Sequence, residues 1–519
     1  MSTVAACRPA RHEDTPAPAT VSFSQARFAH AQLETWLRSA AARQLPAQAV
    51  EEETARQGRE ILRLLLEAHF RERGTGALGP ALQVPPQPVT AEPAPAPDGV
   101  APAPAESVRL ARQRLHARTL KTTFGPVTIQ RTAYGAPGQA SIHPLDAQAE
   151  LPARSFSYPL QERLVRAAVQ GPYDEALANV AAATGVGVAK RSAEQLAQAA
   201  AGDVAAFYEH QAAPDPATTG ALVVGGVDGK GVPMVKPEKT LRAPRLGKGQ
   251  KRQKKRMATV ATVRTQEPRV RTAEEVVASL FDDQPAPPLL RVRREEHQRV
   301  WASLRRSKQE VIADLAAAMR RCNPEGAKKY VAVCDGERAF QIRLETHLAG
   351  VLGVVVLVLD FMHVLEKLWK AAYCFHAEGS TAAQAWVRQR ALQLLRGQVH
   401  EVIAELRAAA AAKKPRSGKR KTLEKVASYF ERNAERMRYD AYLREGLPIA
   451  SGAVEGACRH LVKDRLERAG MRWSLDGAEA MLQLRAVYLS GDLDDYLTYH
   501  RCQEQQRLHP AGAWTVVGE

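Results

Sequence analysis

The sequence predicts a mixed α/β protein in which a strand-bearing core is followed by a block of helices. Three apolar runs, at 222–227, 330–334 and 353–359, each end in an aspartate. Continuous apolar runs of this length are typical of strands buried on both faces of a sheet. Residues 364–445 then contain only helical patterns. Strands with a helical block behind them predict an α/β core that carries a helical insertion.

Size and charge narrow the class of protein. The chain has 519 residues, which suggests several domains. Its 73 lysines and arginines exceed its 56 acidic residues and give a formal net charge of +17. Such an excess favours a polyanionic partner, with nucleic acid ahead of a membrane. No apolar run approaches the roughly 20 residues that cross a bilayer, and no secretory leader is evident. We therefore expect a cytoplasmic, nucleoid-associated protein, with its six cysteines reduced.

The first part of the chain predicts helices and then a linker. Apolar residues recur at helical spacing between about 21 and 73, so residues 1–78 are interpreted as an N-terminal helical region. Residues 79–107 are rich in alanine and proline. That composition cannot form a packed core and predicts an extended linker.

Residues 108–215 predict a small DNA-binding module. Residues 120–134 alternate around Gly125-Pro126, as in a short hairpin. Three short helices follow within 159–200, and the third opens with Lys190 and Arg191. A glycine-containing turn before a helix with basic residues at its start is typical of a helix-turn-helix. An ordinary helical hairpin with solvated charges explains the pattern equally well.

The α/β core is divided by the predicted helical insertion. Its first part, 216–363, contains the three acid-ending strands, a further alternating strand at 257–265, and a long amphipathic helix at about 299–319. The insertion covers 364–446. A second part of the core, 447–505, carries a helix with Glu455, and 506–519 form a tail.

Two basic stretches interrupt this pattern. One lies between the first two strands and includes Arg252, Lys254 and Lys255, and the other spans 413–421. Charge runs are usually solvated loops, and these contain no aromatic residues to stack on bases. Because the whole chain is basic, phosphate contact is the favoured interpretation.

Four acidic residues could form a metal site. Asp228, Asp335 and Asp360 follow apolar strands, and Glu455 lies on a later helix. Mg²⁺ prefers oxygen ligands of this kind, and two such ions serve phosphoryl transfer. Each acid also has a structural explanation: the first two precede glycines in possible turns, Asp360 could cap a helix, and Glu455 could pair with Arg459.

Four motifs resemble one family in the expected order. Residues 451–465, continuing to 470–473, resemble the C-terminal signature of bacterial insertion-sequence transposases. The most similar group is the ISKra type, which is related to the Mutator-like transposases. Segments 226–232 and 333–338 resemble those that carry the family's first and second acidic residues, and 360–363 resembles its Asp-x-x-His element. The resemblance covers about 108–500.

This resemblance implies an RNase H-like catalytic core with a D-D-E triad. Carried onto this chain, the catalytic and metal-binding residues are Asp228, Asp335 and Glu455, with two Mg²⁺ or Mn²⁺ ions. Asp360 and His363 are accessory residues that shape the site or contact DNA, although Asp360 could replace Asp335 as the second acid. Further DNA contacts are expected on the Glu455 helix, from Arg459, Lys463 and Arg465.

The expected function is DNA transposition. The protein would bind the terminal inverted repeats of an insertion sequence through the helix-turn-helix, cleave a phosphodiester and join the 3′-hydroxyl to target DNA. Pairing two ends implies a homodimer or a larger assembly. Two alternatives remain open: a DNA-binding protein without catalysis, and an RNase H-like nuclease without strand transfer.

Overall fold

The computed structural model describes residues 23–85, 107–235, 255–281, 297–336 and 338–517. The chain divides into two compact units, one formed by Met1–Leu196 with Leu497–Glu519 and the other by Ala197–Tyr496. Both helices and two sheets are present, which confirms the mixed α/β class. Two residues predicted to contact DNA, Arg252 and Lys254, lie outside the described residues.

The secondary structure of the described residues is as follows. The strands are β1 (Ala81–Val84), β2 (Val108–Thr122), β3 (Gly125–Gly135), β4 (Leu222–Pro233), β5 (Lys255–Gln266), β6 (Gln298–Ser303), β7 (Lys329–Cys334), β8 (Val355–Leu359) and β9 (Thr515–Val517). The helices are α1 (Ser24–Arg38), α2 (Ala40–Gln44), α3 (Ala47–Glu72), α4 (Pro144–Gln148), α5 (Tyr158–Gln170), α6 (Tyr173–Thr184), α7 (Lys190–Ala200), α8 (Val204–His210), α9 (Ala273–Phe281), α10 (Lys308–Arg321), α11 (Arg338–Leu352), α12 (Phe361–Ala372), α13 (Thr381–Leu395), α14 (Val399–Ala411), α15 (Gly418–Asn433), α16 (Tyr439–Arg444), α17 (Gly452–Ala457), α18 (Asp464–Leu466), α19 (Leu475–Ser490) and α20 (Leu493–Leu508).

The first unit contains a four-stranded sheet in the order β3-β2-β1-β9, and its pairs are antiparallel. The predicted hairpin is present as β2 and β3, and three helices, α5, α6 and α7, lie where the sequence placed them. The predicted boundaries of the linker and the tail need correction. Residues 81–84 pair with β2, and 515–517 pair with β1. Strand β1 has only four residues, Ala-Leu-Gln-Val, which is too short for a clear pattern beside the neighbouring prolines.

The second unit is built on a five-stranded sheet in the order β6-β5-β4-β7-β8. Strand β5 is antiparallel to β4 and β6, whereas β4, β7 and β8 run parallel. The prediction that the first strand ends at Asp228 is wrong. The parallel pairing of β4 with β7 stops at Gly226, but the antiparallel pairing with β5 continues through Asp228 to Pro233. Asp228 therefore lies on a strand that extends beyond its parallel neighbour.

One predicted helix, at about 299–319, begins with a strand instead. Residues 298–303 form β6, the edge of the sheet, and α10 starts only at Lys308. Ser307 accepts a hydrogen bond from the backbone N–H of Glu310, whose carboxylate accepts one in return from the backbone N–H of Ser307. This capping box sets the start of the helix.

Alternate residues of the central strands pack against different layers. Leu222 and Val224 on β4 face the helical block formed mainly by α12 to α16, whereas Val223 and Val227 face α10 and α11. Side chains on a strand alternate between its two faces, so a continuous apolar run is the expected sequence for a sheet covered on both sides. Residues predicted to be a helical insertion form α12 to α16. Among the described helices, none combines the length and apolar character needed to span a membrane.

Candidate active site

The site begins where the parallel strands β7 and β8 end. Asp360 follows β8 and caps α12, and its Oδ1 accepts a hydrogen bond from the Met362 backbone N–H at 2.8 Å. Its Oδ2 lies 3.2 Å from His363 Nδ1 and also accepts a hydrogen bond from the Ser451 hydroxyl. The side chain has no solvent exposure. Burial alone would raise the pKa of Asp360, but these three hydrogen bonds hold the pKa below its ordinary value.

His363 joins this buried carboxylate to the Glu455 side chain. Its Nδ1 lies 4.0 Å from Glu455 Oε1, and the ring is partly exposed. The hydrogen bond with Asp360 raises the pKa of His363 to about 9, against the opposing effect of burial. The imidazole is therefore protonated at neutral pH and lies between two carboxylates.

Glu455 lies in the first turn of the short helix α17. The sequence also allowed an ion pair between Glu455 and Arg459. In the structure Arg459 pairs with Asp464 instead, with 3.8 Å between Arg459 Nε and Asp464 Oδ1. Partial burial and the negative charge of Asp360 raise the pKa of Glu455, and Asp228 adds to this effect. The carboxylates that surround Glu455 form a region of negative charge where a cation binds favourably.

Asp228 reaches the same region from β4. Its Oδ1 accepts a hydrogen bond from the Gly229 backbone N–H at 2.6 Å, and its Oδ2 accepts one from the Cys458 thiol at 3.2 Å. Cys458 begins a stretch of π-helix that continues α17 to Lys463. Burial, followed by the charge of Asp228, raises the pKa of this thiol, which therefore remains a hydrogen-bond donor. The thiol orients the Asp228 carboxylate from the element that carries Glu455.

Asp335 follows β7 directly, beside Asp360. The backbone N–H of Asp360 donates to the Cys334 carbonyl at 2.8 Å, so the two strand ends are held together. The Asp335 carbonyl accepts a hydrogen bond from the Tyr429 hydroxyl at 3.1 Å. Asp335 also helps to raise the pKa of both His363 and Tyr429, which places its charge near both rings.

Gly336 allows Tyr429 to approach this strand end. Its φ is +82°, and a Cβ on it would lie 2.5 Å from the Tyr429 hydroxyl oxygen. Gly336→Ala is therefore expected to lower the free energy of unfolding by about 2–4 kcal/mol, through backbone strain and collision together. Gly326 has a φ of +70°, and a Cβ on it would meet no atom within 4 Å, so Gly326→Ala isolates the backbone strain at about 1 kcal/mol. Equal losses for the two variants in urea unfolding would contradict the proposed close contact.

Some of the predicted site residues lie closer together in the structure than others. Ligand atoms of Asp360, His363 and Glu455 lie within 4.8 Å of one another, and these three form the one such group among the described residues. Asp228 and Asp335 are not members of that group. They connect to it through Cys458 and through the paired ends of β7 and β8.

Sequence reasoning missed three residues that hold the site. Ser451 and Cys458 donate hydrogen bonds to Asp360 and Asp228, and Tyr429 donates to the Asp335 carbonyl. The first two lie inside the motif at 451–465 that carries the family resemblance, so their position in that motif was an available signal. Tyr429 belongs to α15, and nothing local in its sequence indicates a contact with β7.

The basic residues predicted to contact DNA lie in different environments. Lys190 is exposed and pairs with Asp174 at 2.9 Å, and Arg191 follows it on α7. Lys255 pairs with Glu467, and Lys463 is exposed beyond the Glu455 helix.

The prediction for Arg465 is wrong. Its side chain has no solvent exposure, and its guanidinium lies 5.0 Å from the centre of the Trp473 ring. A guanidinium packed on an indole is stabilised by a cation–π interaction, and here it belongs to the core. It therefore does not present its charge to a phosphate. Trp473 is buried as well, and its indole N–H donates to the Leu466 carbonyl at 3.0 Å.

Comparison with known proteins does not assign the chain to a family. No protein-family model matches it, and no curated protein matches it.

Proposed function

We propose that the protein is a DDE-type transposase that cleaves and joins DNA with the help of divalent metal ions. The observation that carries this proposal is the placement of the acidic residues on the five-stranded sheet. Asp228 lies on the central strand β4, Asp335 follows the adjacent parallel strand β7, and Glu455 lies on α17, which packs against β4. This arrangement supports an RNase H-like core, and the resemblance to ISKra-type transposases supports it independently.

Asp228, Asp335 and Glu455 are the proposed metal ligands. Their donors are carboxylate oxygens, which fit Mg²⁺ or Mn²⁺, and burial together with the negative charges of Asp360 and Asp228 raises the pKa of Glu455. Two bound ions would stabilise charge on the attacking and leaving oxygens of a phosphodiester. In this proposal Cys458 keeps the Asp228 carboxylate oriented, and the Asp360–His363 pair positions Glu455.

A second ligand set has one observation in its favour. Asp360, His363 and Glu455 have ligand atoms within 4.8 Å of one another. However, Asp360 is fully buried, and its two oxygens already accept hydrogen bonds from the Met362 backbone N–H, from Ser451 and from His363. These features support a positioning role for Asp360 and His363, and they favour Asp335 as the second metal-binding acid.

The remaining parts of the chain have roles consistent with transposition. We assign end recognition to the helices α5 to α7, with Lys190 and Arg191 at the start of α7. Double-stranded DNA is the substrate, and two copies of the chain or more would hold the two ends of the element together. The excess of basic residues suits a nucleoid-associated protein that binds DNA of many sequences.

The experiment combines the protein with linear DNA carrying the ends of the element from its own genomic locus, together with a supercoiled target plasmid. With Mg²⁺ or Mn²⁺ we expect cleavage at the element ends and joined products, and with EDTA we expect neither. DNA binding should persist in EDTA, because it depends on lysines and arginines. Cleavage without joining would favour the nuclease, and binding without either reaction would favour a non-catalytic DNA-binding protein.

A further inference from the structure

A groove between α12 and α15 concentrates positive charge close to the candidate active site. It has a volume of about 790 Å³. Its wall contains five cationic side chains and a single carboxylate, the five being Lys367, Lys370, Lys421, Lys425 and Arg432. Lys421 is the last residue of the second basic stretch, and the other four are neither proposed metal ligands nor predicted DNA contacts.

The cations on α15 share one face of the helix. Lys421, Lys425 and Arg432 follow one another at intervals of four and seven residues, which are repeats that return to the same side of an α-helix. At 1.5 Å per residue they span about 16 Å, which equals the rise of roughly five base pairs of DNA. Lys367 and Lys370 supply charge from α12 on the other side of the groove.

Ion pairs among the described residues leave most of the positive charge of the groove without a direct partner. Its carboxylate, Glu424, accepts a hydrogen bond from Arg420 Nε at 2.8 Å, outside the groove lining. In the part of the chain that the structure describes, no carboxylate forms an ion pair with any of the four groove lysines. Clustered like charges repel one another, and a bound polyanion relieves that repulsion.

Direct contacts connect the groove to the site. Lys367 lies one helical turn after His363 on α12, and its ammonium is 5.1 Å from the centre of the Tyr429 ring. The hydroxyl of the same Tyr429 donates to the Asp335 carbonyl. One tyrosine therefore separates the acidic site from the basic groove, and a nucleic acid backbone that crosses the site can continue along the lysines.

We propose that this groove binds the sugar–phosphate backbone of double-stranded DNA next to the bond that is cleaved. The location of that bond rests on the proposed function, whereas the binding itself does not. The contacts are electrostatic, so the groove binds DNA of any sequence and contributes to the salt dependence of binding rather than to recognition of the element ends.

The test uses the full chain in EDTA and a fluorescent, mixed-sequence DNA duplex of about three helical turns. Lys421→Ala combined with Lys425→Ala is expected to weaken binding roughly ten- to a hundredfold near 0.1 M salt, and to reduce the slope of log K against log salt by about two. The matched control is Arg320→Ala with Arg444→Ala. Both residues are exposed, lie on α10 and α16 of the same unit, and belong neither to the groove lining nor to the two basic stretches, so the same loss of charge should have a much smaller effect.

Equal effects of the two double variants on affinity and slope would overturn the groove proposal. Urea unfolding of both variants checks that neither has lost its fold. Cleavage with Mg²⁺ is measured separately on the same proteins. If the groove variant bound DNA more weakly but the wild-type protein never cleaved DNA, the groove proposal would be supported and the proposed transposase function would be rejected. If the groove variant bound and cleaved DNA like the wild type, the transposase function would be supported and the groove proposal would be rejected.

Discussion

Asp228→Asn is expected to reduce Mg²⁺-dependent DNA cleavage by about a thousandfold or more, equivalent to roughly 4 kcal/mol of lost transition-state stabilisation. Asparagine keeps the size of the side chain: its Oδ1 can still accept the hydrogen bond from the Gly229 N–H, and its amide NH2, in the position of Oδ2, can donate to the Cys458 sulfur. It lacks the charge that a metal ion requires. Affinity for DNA in EDTA should change little, because the basic surfaces remain intact, and the measurement is a cleavage time course beside a binding titration.

The free energy of unfolding provides a second expectation for the same variant. Because Asp228 contributes to the repulsion that raises the pKa of Glu455, its neutralisation should leave stability unchanged or increase it slightly. Asp476→Asn is the matched control, since Asp476 is 72% exposed and lies at the start of α19 in the same unit. If Asp228→Asn cleaved DNA as fast as Asp476→Asn, Asp228 would not be a metal ligand.

The α/β class could be predicted because local sequence determines it. Parallel strands covered on both faces must be apolar at every position, so 330–334 and 353–359 were visible without any knowledge of their neighbours. Strand β6 was not visible. It lies at the edge of the sheet, and its alternation of Arg299 and Trp301 with apolar residues merges into the amphipathic pattern of α10. The pairing with β5 that makes it a strand depends on residues about 40 positions earlier.

The candidate site also combines features that the sequence reveals with features that only the fold reveals. Asp335 and Asp360 were identifiable, because the parallel strands β7 and β8 bring their ends to one edge of the sheet. The hydrogen bonds that separate their roles were not, since they join residues far apart in the chain. Ser451 reaches Asp360 across 91 positions, and Tyr429 reaches Asp335 across 94. Arg465 shows the opposite error, because its charge suggested exposure while packing on Trp473 buries it.

Asp360→Ala is expected to lower the free energy of unfolding by about 3–5 kcal/mol, a large fraction of the stability of an ordinary domain. The buried carboxylate accepts hydrogen bonds from the Met362 N–H, from Ser451 and from His363. Alanine leaves these donors without an acceptor, and a cationic histidine loses the carboxylate that stabilises it. Urea unfolding of the variant measures the loss. Glu366→Ala, an exposed residue on the same helix, should change stability by less than about 0.5 kcal/mol.

Stability and catalysis together decide between the two roles of Asp360. A positioning residue that holds His363 and the start of α12 should lose stability when it is removed, whereas a metal ligand within a repelling acidic cluster should not. Asp360→Ala is thus expected to lower the free energy of unfolding whereas Asp228→Asn is not, although both should reduce cleavage. If Asp360→Ala abolished cleavage and unfolded at the same urea concentration as Glu366→Ala, Asp360 would be a metal ligand. Asp360, and not Asp335, would then be the second metal-binding acid.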